Sequence, residues 1–175
     1  MRLFIAINFS EELEHSILKT IHRLKHAGVK GRYVSPENLH MTLAFLGEVA
    51  DASAVEAAIR KISWHPFELK LTGIGNFGSL VWLGMDGGKD LSALADRIRS
   101  ALDEAAIRYD RKKFVPHITL IRKAAGHWKG IGTLGGTMVV DHISLMKSEV
   151  KDGKRVYTEI FRVTGKGEQR EDKES

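Results

Sequence analysis

The chain has 175 residues and a mass of 19.5 kDa, room for one ordinary domain rather than two. Its 43% hydrophobic and 28% charged residues exclude wholesale disorder, and a net charge of +5 suits an anionic partner without identifying one. Zero cysteines exclude a disulfide scaffold, a thiol nucleophile and a sulfur-ligated zinc site.

The segment 2–8 (RLFIAIN) is a nearly continuous apolar run and predicts a buried strand. Ser10 followed by Glu11 and Glu12 gives the start of a helix, with Leu13, Ile17, Ile21 and Leu24 on one face and Gly28 at its end. A strand is expected over 39–46, then a helix opened by Asp51 and carrying Val55, Ala58, Ile59 and Ile62. Strands near 67–72 and 80–85 precede a third helix from about 89 to 108, with Leu91, Leu94, Ile98 and Leu102 along one stripe. Further strands are expected at 117–122, 138–147 and 155–163. The eleven closing residues, GKGEQREDKES, hold no apolar side chain and predict a disordered tail over 165–175, leaving one domain over 1–164. No apolar run is long enough to span a bilayer, and the acidic turn after MRLFIAINF is wrong for a signal peptide. A cytoplasmic chain without membrane contact is the expectation.

The two halves echo each other. His40-Met41-Thr42-Leu43 and His117-Ile118-Thr119-Leu120 are the same H-x-T-L motif, 77 positions apart. The same shift lays the strand 3–7 on 80–84 and the first helix stripe on the third, without a gap from residue 2 to about 46. A strand–helix–strand unit used twice, over about 2–46 and 79–123, implies two similar lobes related by a pseudo-twofold axis.

Side chains alternate faces along a strand, so each motif offers one imidazole and one hydroxyl on the same side. A facing pair of such strands suits in-line attack at phosphorus. One neutral imidazole accepts a proton, a charged one donates one, and the hydroxyls bind phosphate oxygens. Arg122, five positions after His117, can add a guanidinium for phosphate, and Tyr33, Phe45 and Phe114 are candidates for stacking on a base.

The segments HMTLAFLG (40–47) and FVPHITLIR (114–122) resemble the paired signatures of the 2H phosphoesterase superfamily. The nearest branch is the RNA 2′,3′-cyclic phosphodiesterases, also called 2′-5′ RNA ligase-like proteins. RLFIAI at the start, RYVSPENLH before the first motif, and Ser148 with Tyr157 are similar to that branch too. The resemblance implies a bilobal α+β domain, each lobe an antiparallel sheet with helices outside and a cleft between. It implies His40 as proton donor, His117 as acceptor, and Thr42 and Thr119 as phosphate-binding partners. The implied reaction is hydrolysis of RNA 2′,3′-cyclic phosphate ends to 2′-phosphomonoesters by a monomer. Cleavage or ligation of 2′,5′-linked oligonucleotides, or a non-catalytic RNA-end-binding module, are the alternatives.

Several motifs invite other readings. GIGNFG (73–78) matches G-x-G-x-x-G, yet a strand rather than a helix follows it, which favours a glycine-rich hairpin. His142-Ile143-Ser144 has no echo partner and is expected to be structural. His15, His22, His26, His65 and His127 form no ligand set, so neither metal nor other cofactor is expected.

Overall fold

The computed structural model describes residues 1–167. In chain order it contains β1 (Arg2–Asn8), α1 (Glu11–His26), β2 (Lys30–Tyr33), a 3₁₀ turn (Pro36–Asn38), β3 (His40–Glu48) and α2 (Ala52–Arg60). There follow β4 (Phe67–Phe77), β5 (Leu80–Asp86), α3 (Gly88–Glu104), β6 (His117–Ala125), β7 (Thr137–Val140), β8 (His142–Lys151) and β9 (Lys154–Thr164). The strands form two antiparallel sheets, ordered β3-β1-β8-β9 and β2-β6-β5-β4-β7.

Local chemistry sets the helices. The Ser10 hydroxyl accepts the Leu13 N–H at 3.2 Å and caps α1, whose first turn carries three carboxylates and whose last turn carries Arg23, Lys25 and His26. Asp51 caps α2 through the Ser53 N–H. The apolar stripes of the three helices join the inward rows of both sheets in one continuous core. Cutting one of its fully buried leucines, Leu13 or Leu24, to alanine removes about 2–5 kcal/mol.

The echo is structural. β3 and β6 are the same length, and each alternates half-buried His and Thr with buried Met41 and Leu43, or Ile118 and Leu120. Both strands bulge directly after the threonine. Ala6 pairs with Thr42 but Ile5 with Ala44, and Trp82 pairs with Thr119 but Val81 with Ile121.

The ungapped alignment fails in one place. His40 pairs with Asn8 whereas His117 pairs with Gly84, so β1 maps onto β5 with a shift one residue shorter than the helices require. Phe9 alone joins β1 to the α1 cap, while Met85 and Asp86 occupy that step before Gly87. The physical reason is the two-residue period of a strand. The shorter shift superposes buried Ile5 and Ile7 on buried Val81 and Leu83, where the ungapped one sets Ile5 against the half-buried Trp82.

Other boundaries differ from expectation as well. The expected strand 138–147 is two strands in different sheets, β7 beside β4 and β8 beside β1, with the chain crossing at Asp141. Exposed Asp141 separates buried Val140 from the consecutive buried residues 143–146, so 138–147 does not carry the alternation of one half-buried strand. β2 has no counterpart among the expected strands, β4 runs on through the glycine-rich segment to Phe77, and α3 stops at Glu104. Gly165 and Lys166, expected at the head of a free tail, donate N–H bonds of 2.7 Å to the carbonyls of Asp141 and Trp64. The rest of that expectation, 168–175, lies outside the described residues.

Candidate active site

The open faces of β3 and β6 line one cleft of about 820 Å³, which collects His40, Thr42, His117, Thr119 and Arg122. Tyr33, Phe45 and Phe114 line it too. Every residue singled out from the sequence for phosphate or base therefore borders one space.

The histidines are held by the same device. His40 Nδ1 donates to the Asn38 carbonyl at 2.7 Å and His117 Nδ1 donates to the Val115 carbonyl at 2.5 Å, each two residues upstream. A carbonyl only accepts, so both Nδ1 atoms carry hydrogen, and in the neutral ring the lone pair resides on Nε2. The surroundings then differ. His40 Nε2 lies 3.0 Å from the Thr42 hydroxyl, which donates to it, while the ring packs on Phe4 at 4.8 Å and edge-on to Tyr157 at 5.0 Å. Burial pushes this imidazole below its ordinary value, with the Asn38 hydrogen bond opposing. His117 instead packs against Phe77 at 5.7 Å and Trp82 at 6.1 Å.

The cleft is basic. Arg32, Arg99, Lys112, Lys113, Arg122 and Arg155 line it, against the single carboxylate of Asp110. Arg32 and Arg122 are direct cross-strand partners, an arrangement that costs energy unless an anion lies between or beside them. Arg155 reaches into the cleft from β9, its guanidinium donating to the Ser148 hydroxyl at 3.0 Å. Arg99 is braced by the Lys112 carbonyl at 2.9 Å and by the Tyr109 ring. Sequence reasoning missed Arg32, Arg99, Lys112, Lys113 and Arg155. For Arg155 a signal existed, since it stands two residues from Tyr157 and shares its face of β9.

The aromatic candidates separate. Tyr33 commits its hydroxyl to the Val29 carbonyl at 2.6 Å and its ring to Lys25, and Phe114 packs on the core. Phe45 is 42% exposed and free for a ligand. His142 pairs with Asp141 at 2.6 Å and Ser144 with Glu159, neither among the residues lining the cleft. Among the described residues no three His, Asp or Glu side chains gather as a metal-binding group, and no helix is long and apolar enough to cross a membrane.

Residues 13–152 match the model of the 2′-5′ RNA ligase superfamily. An RNA 2′,3′-cyclic phosphodiesterase of Methanothermobacter thermautotrophicus is 30% identical, covering 93% of this chain and 99% of its own. The Escherichia coli K12 protein of that name is 36% identical over 131 residues, 71% of this chain and 73% of its own. Crystal structures of E. coli LigT superpose with TM-scores of 0.79 without ligand and 0.77 with 3′-AMP. They are 34% and 32% identical and cover 93% and 94% of this chain, and 96% and 97% of theirs. Matching sequence, fold and paired H-x-T strands agree: the chain belongs to the 2′-5′ RNA ligase superfamily.

Proposed function

We propose that the protein hydrolyses RNA 2′,3′-cyclic phosphate ends to 2′-phosphomonoesters with its two histidines and no metal. The observation that carries this reading is the duplicated imidazole. Two rings, each tied at Nδ1 to its own backbone, leave two Nε2 atoms for one basic cleft.

His117 Nε2 takes a proton from water as its oxygen bonds to phosphorus. The P–O3′ bond breaks on the opposite side, and His40 Nε2 gives the departing 3′-oxygen its proton. Thr42, Thr119 and Arg122 hold the non-bridging oxygens as charge builds on the five-coordinate phosphorus. Phe45, on the strand of His40, stacks on the base of the nucleoside that carries the cyclic phosphate. Burial keeps His40 neutral at rest. The entering phosphate anion favours its charged form, so substrate itself readies the acid. One chain supplies every group, so a monomer suffices.

Incubating a nucleoside 2′,3′-cyclic phosphate with the protein in excess EDTA tests the proposal. The expected product is the 2′-phosphate alone, at a rate unaffected by chelation. The 3′-isomer, or activity that returns only with a divalent ion, overturns it.

A further inference from the structure

The charge of the chain is unevenly placed. Residues 15–36 and 111–140 hold eleven of its 27 lysines and arginines and none of its 22 aspartates and glutamates. The remainder of the chain is therefore net acidic. Folding brings the two basic segments together. β2 pairs with β6, a Cβ on Gly126 would stand 3.3 Å from Val29 Cα, and Arg23 donates to the Gly132 carbonyl at 3.0 Å. The C-terminal half of α1, β2, the end of β6 and the loop after it thus form one face without a carboxylate.

Lys19, Arg23, Lys25, Lys30, Lys123 and Lys129 are exposed on this face, outside the cleft. Among the described residues none of the six pairs with a carboxylate. A helix C-terminus favours cations, which accounts for Arg23 and Lys25, but Lys30, Lys123 and Lys129 lie beyond the helix. Unpaired cations gathered on one face repel one another, and a polyanion that displaces their counterions relieves this. The face also continues into the cleft. Arg32 and Arg122 line it together with Tyr33, and Lys25 Nζ lies 4.8 Å from the Tyr33 ring.

What the face lacks narrows its partner. Tyr33 and Trp128 beside it are half-buried against the core, so unpaired bases find no free ring to stack on. Among the described residues α1, β2, β6 and the loop 126–136 expose no large apolar side chain to enter a lipid surface. Lysines without rings or apolar wedges read a phosphate backbone and leave the bases alone, which suits RNA whose bases are paired.

We propose that this face binds the phosphate backbone of a base-paired RNA stem whose 3′ end reaches into the cleft. The inference rests on the reading of the cleft as an RNA-end site and narrows its substrate to structured RNA.

Fluorescence anisotropy with three labelled RNAs tests this. They are a hairpin with a short single-stranded 3′ extension ending in a 2′-phosphate, an unpaired strand of equal length and end, and the extension alone. The triple variant Lys30→Gln, Lys123→Gln, Lys129→Gln removes three charges outside the cleft. It is expected to weaken the hairpin at least about tenfold and to flatten the slope of log affinity against log salt by about 2 to 3. The unpaired strand should lose less, the extension alone should bind unchanged, and arginine at the three positions should keep hairpin affinity. Equal weakening of hairpin and extension would mean that the lysines act through the cleft. Equal weakening of hairpin and unpaired strand would mean that the face takes single strands. Unchanged hairpin affinity, with or without lost binding to phosphatidylserine vesicles, would mean that the face serves no RNA. Each of these results overturns the proposal. Turnover of the cyclic phosphate by the wild type is read separately. Its absence alongside the expected binding pattern would defeat the hydrolytic reading and leave the stem surface standing.

Discussion

The two H-x-T strands share a length, a bulge after the threonine and a carbonyl anchor for the imidazole, yet their neighbours have diverged. Positions 45 and 122 are equivalent in the repeat. One lobe places phenylalanine there and the other arginine, both on the cleft. His40 rests on Phe4 and Tyr157 with the Thr42 hydroxyl at its Nε2, while His117 rests on Phe77 and Trp82. In the proposed mechanism duplication supplies two proton carriers, and the divergence of their surroundings is what would set the base on one side of phosphorus and the acid on the other.

Removing either imidazole is the largest blow to this arrangement. His40→Ala and His117→Ala should each lower kcat at least about 10²-fold in steady-state assays with a cyclic phosphate, without loss of fold. The double variant should be little worse than either single one, because the pair acts as a unit. Multiplicative losses would mean that the lobes work independently.

The threonines sharpen the comparison. Valine keeps the branched shape and strand preference but deletes the hydroxyl. Thr119→Val and Thr42→Val should each cost about 1.5–3 kcal/mol of transition-state binding, roughly ten- to 150-fold in kcat/KM, with melting temperatures nearly unchanged. Thr42→Val should be the more harmful, since it also strips the hydrogen bond from His40 Nε2. Equal kinetics for both variants and the wild type would reduce the motif to its histidines.

Smaller again is the effect of Arg122→Gln, about tenfold in kcat/KM and felt in kcat, with Arg155→Gln weaker still because Ser148 already shares that guanidinium. Both losses should shrink as salt is raised, which kinetics at two ionic strengths would show.

The smallest effect is on stability. Burial lowers the folded value of His40, so the unfolded chain takes up its proton first as pH falls. The full stability is present above the ordinary histidine value near 6.5 and is lost as pH falls through the lowered folded value. Melts from pH 7.5 to 5 should show this loss, with a slope below about 1.4 kcal/mol per pH unit, and His40→Gln should remove it.

The duplicated strand–helix–strand units were legible because they repeat both an apolar rhythm and a four-letter motif. Strand alternation alone places each His beside its Thr. Other features arise only from long-range pairing in the folded chain. β2 is four residues of KGRY with no apolar face, and it exists because the edge of β6 pairs with it. Gly31 permits that approach, for a Cβ there would meet the Arg122 carbonyl at 2.9 Å. Arg99 comes to the cleft from a helix and Lys112 from a loop, so no local pattern could gather the basic wall. The sheet change at Asp141 did leave a trace, an exposed aspartate between buried Val140 and the buried run 143–146.

If two differently housed histidines trade protons across one phosphorus, kcat/KM for a nucleoside 2′,3′-cyclic phosphate should follow a bell with pH. Of its two apparent pKa values, one should lie below the ordinary 6.5 because of His40 burial and be absent from the residual activity of His40→Ala. A flat profile between about pH 5 and 9, or a bell that His40→Ala leaves unchanged, would contradict it.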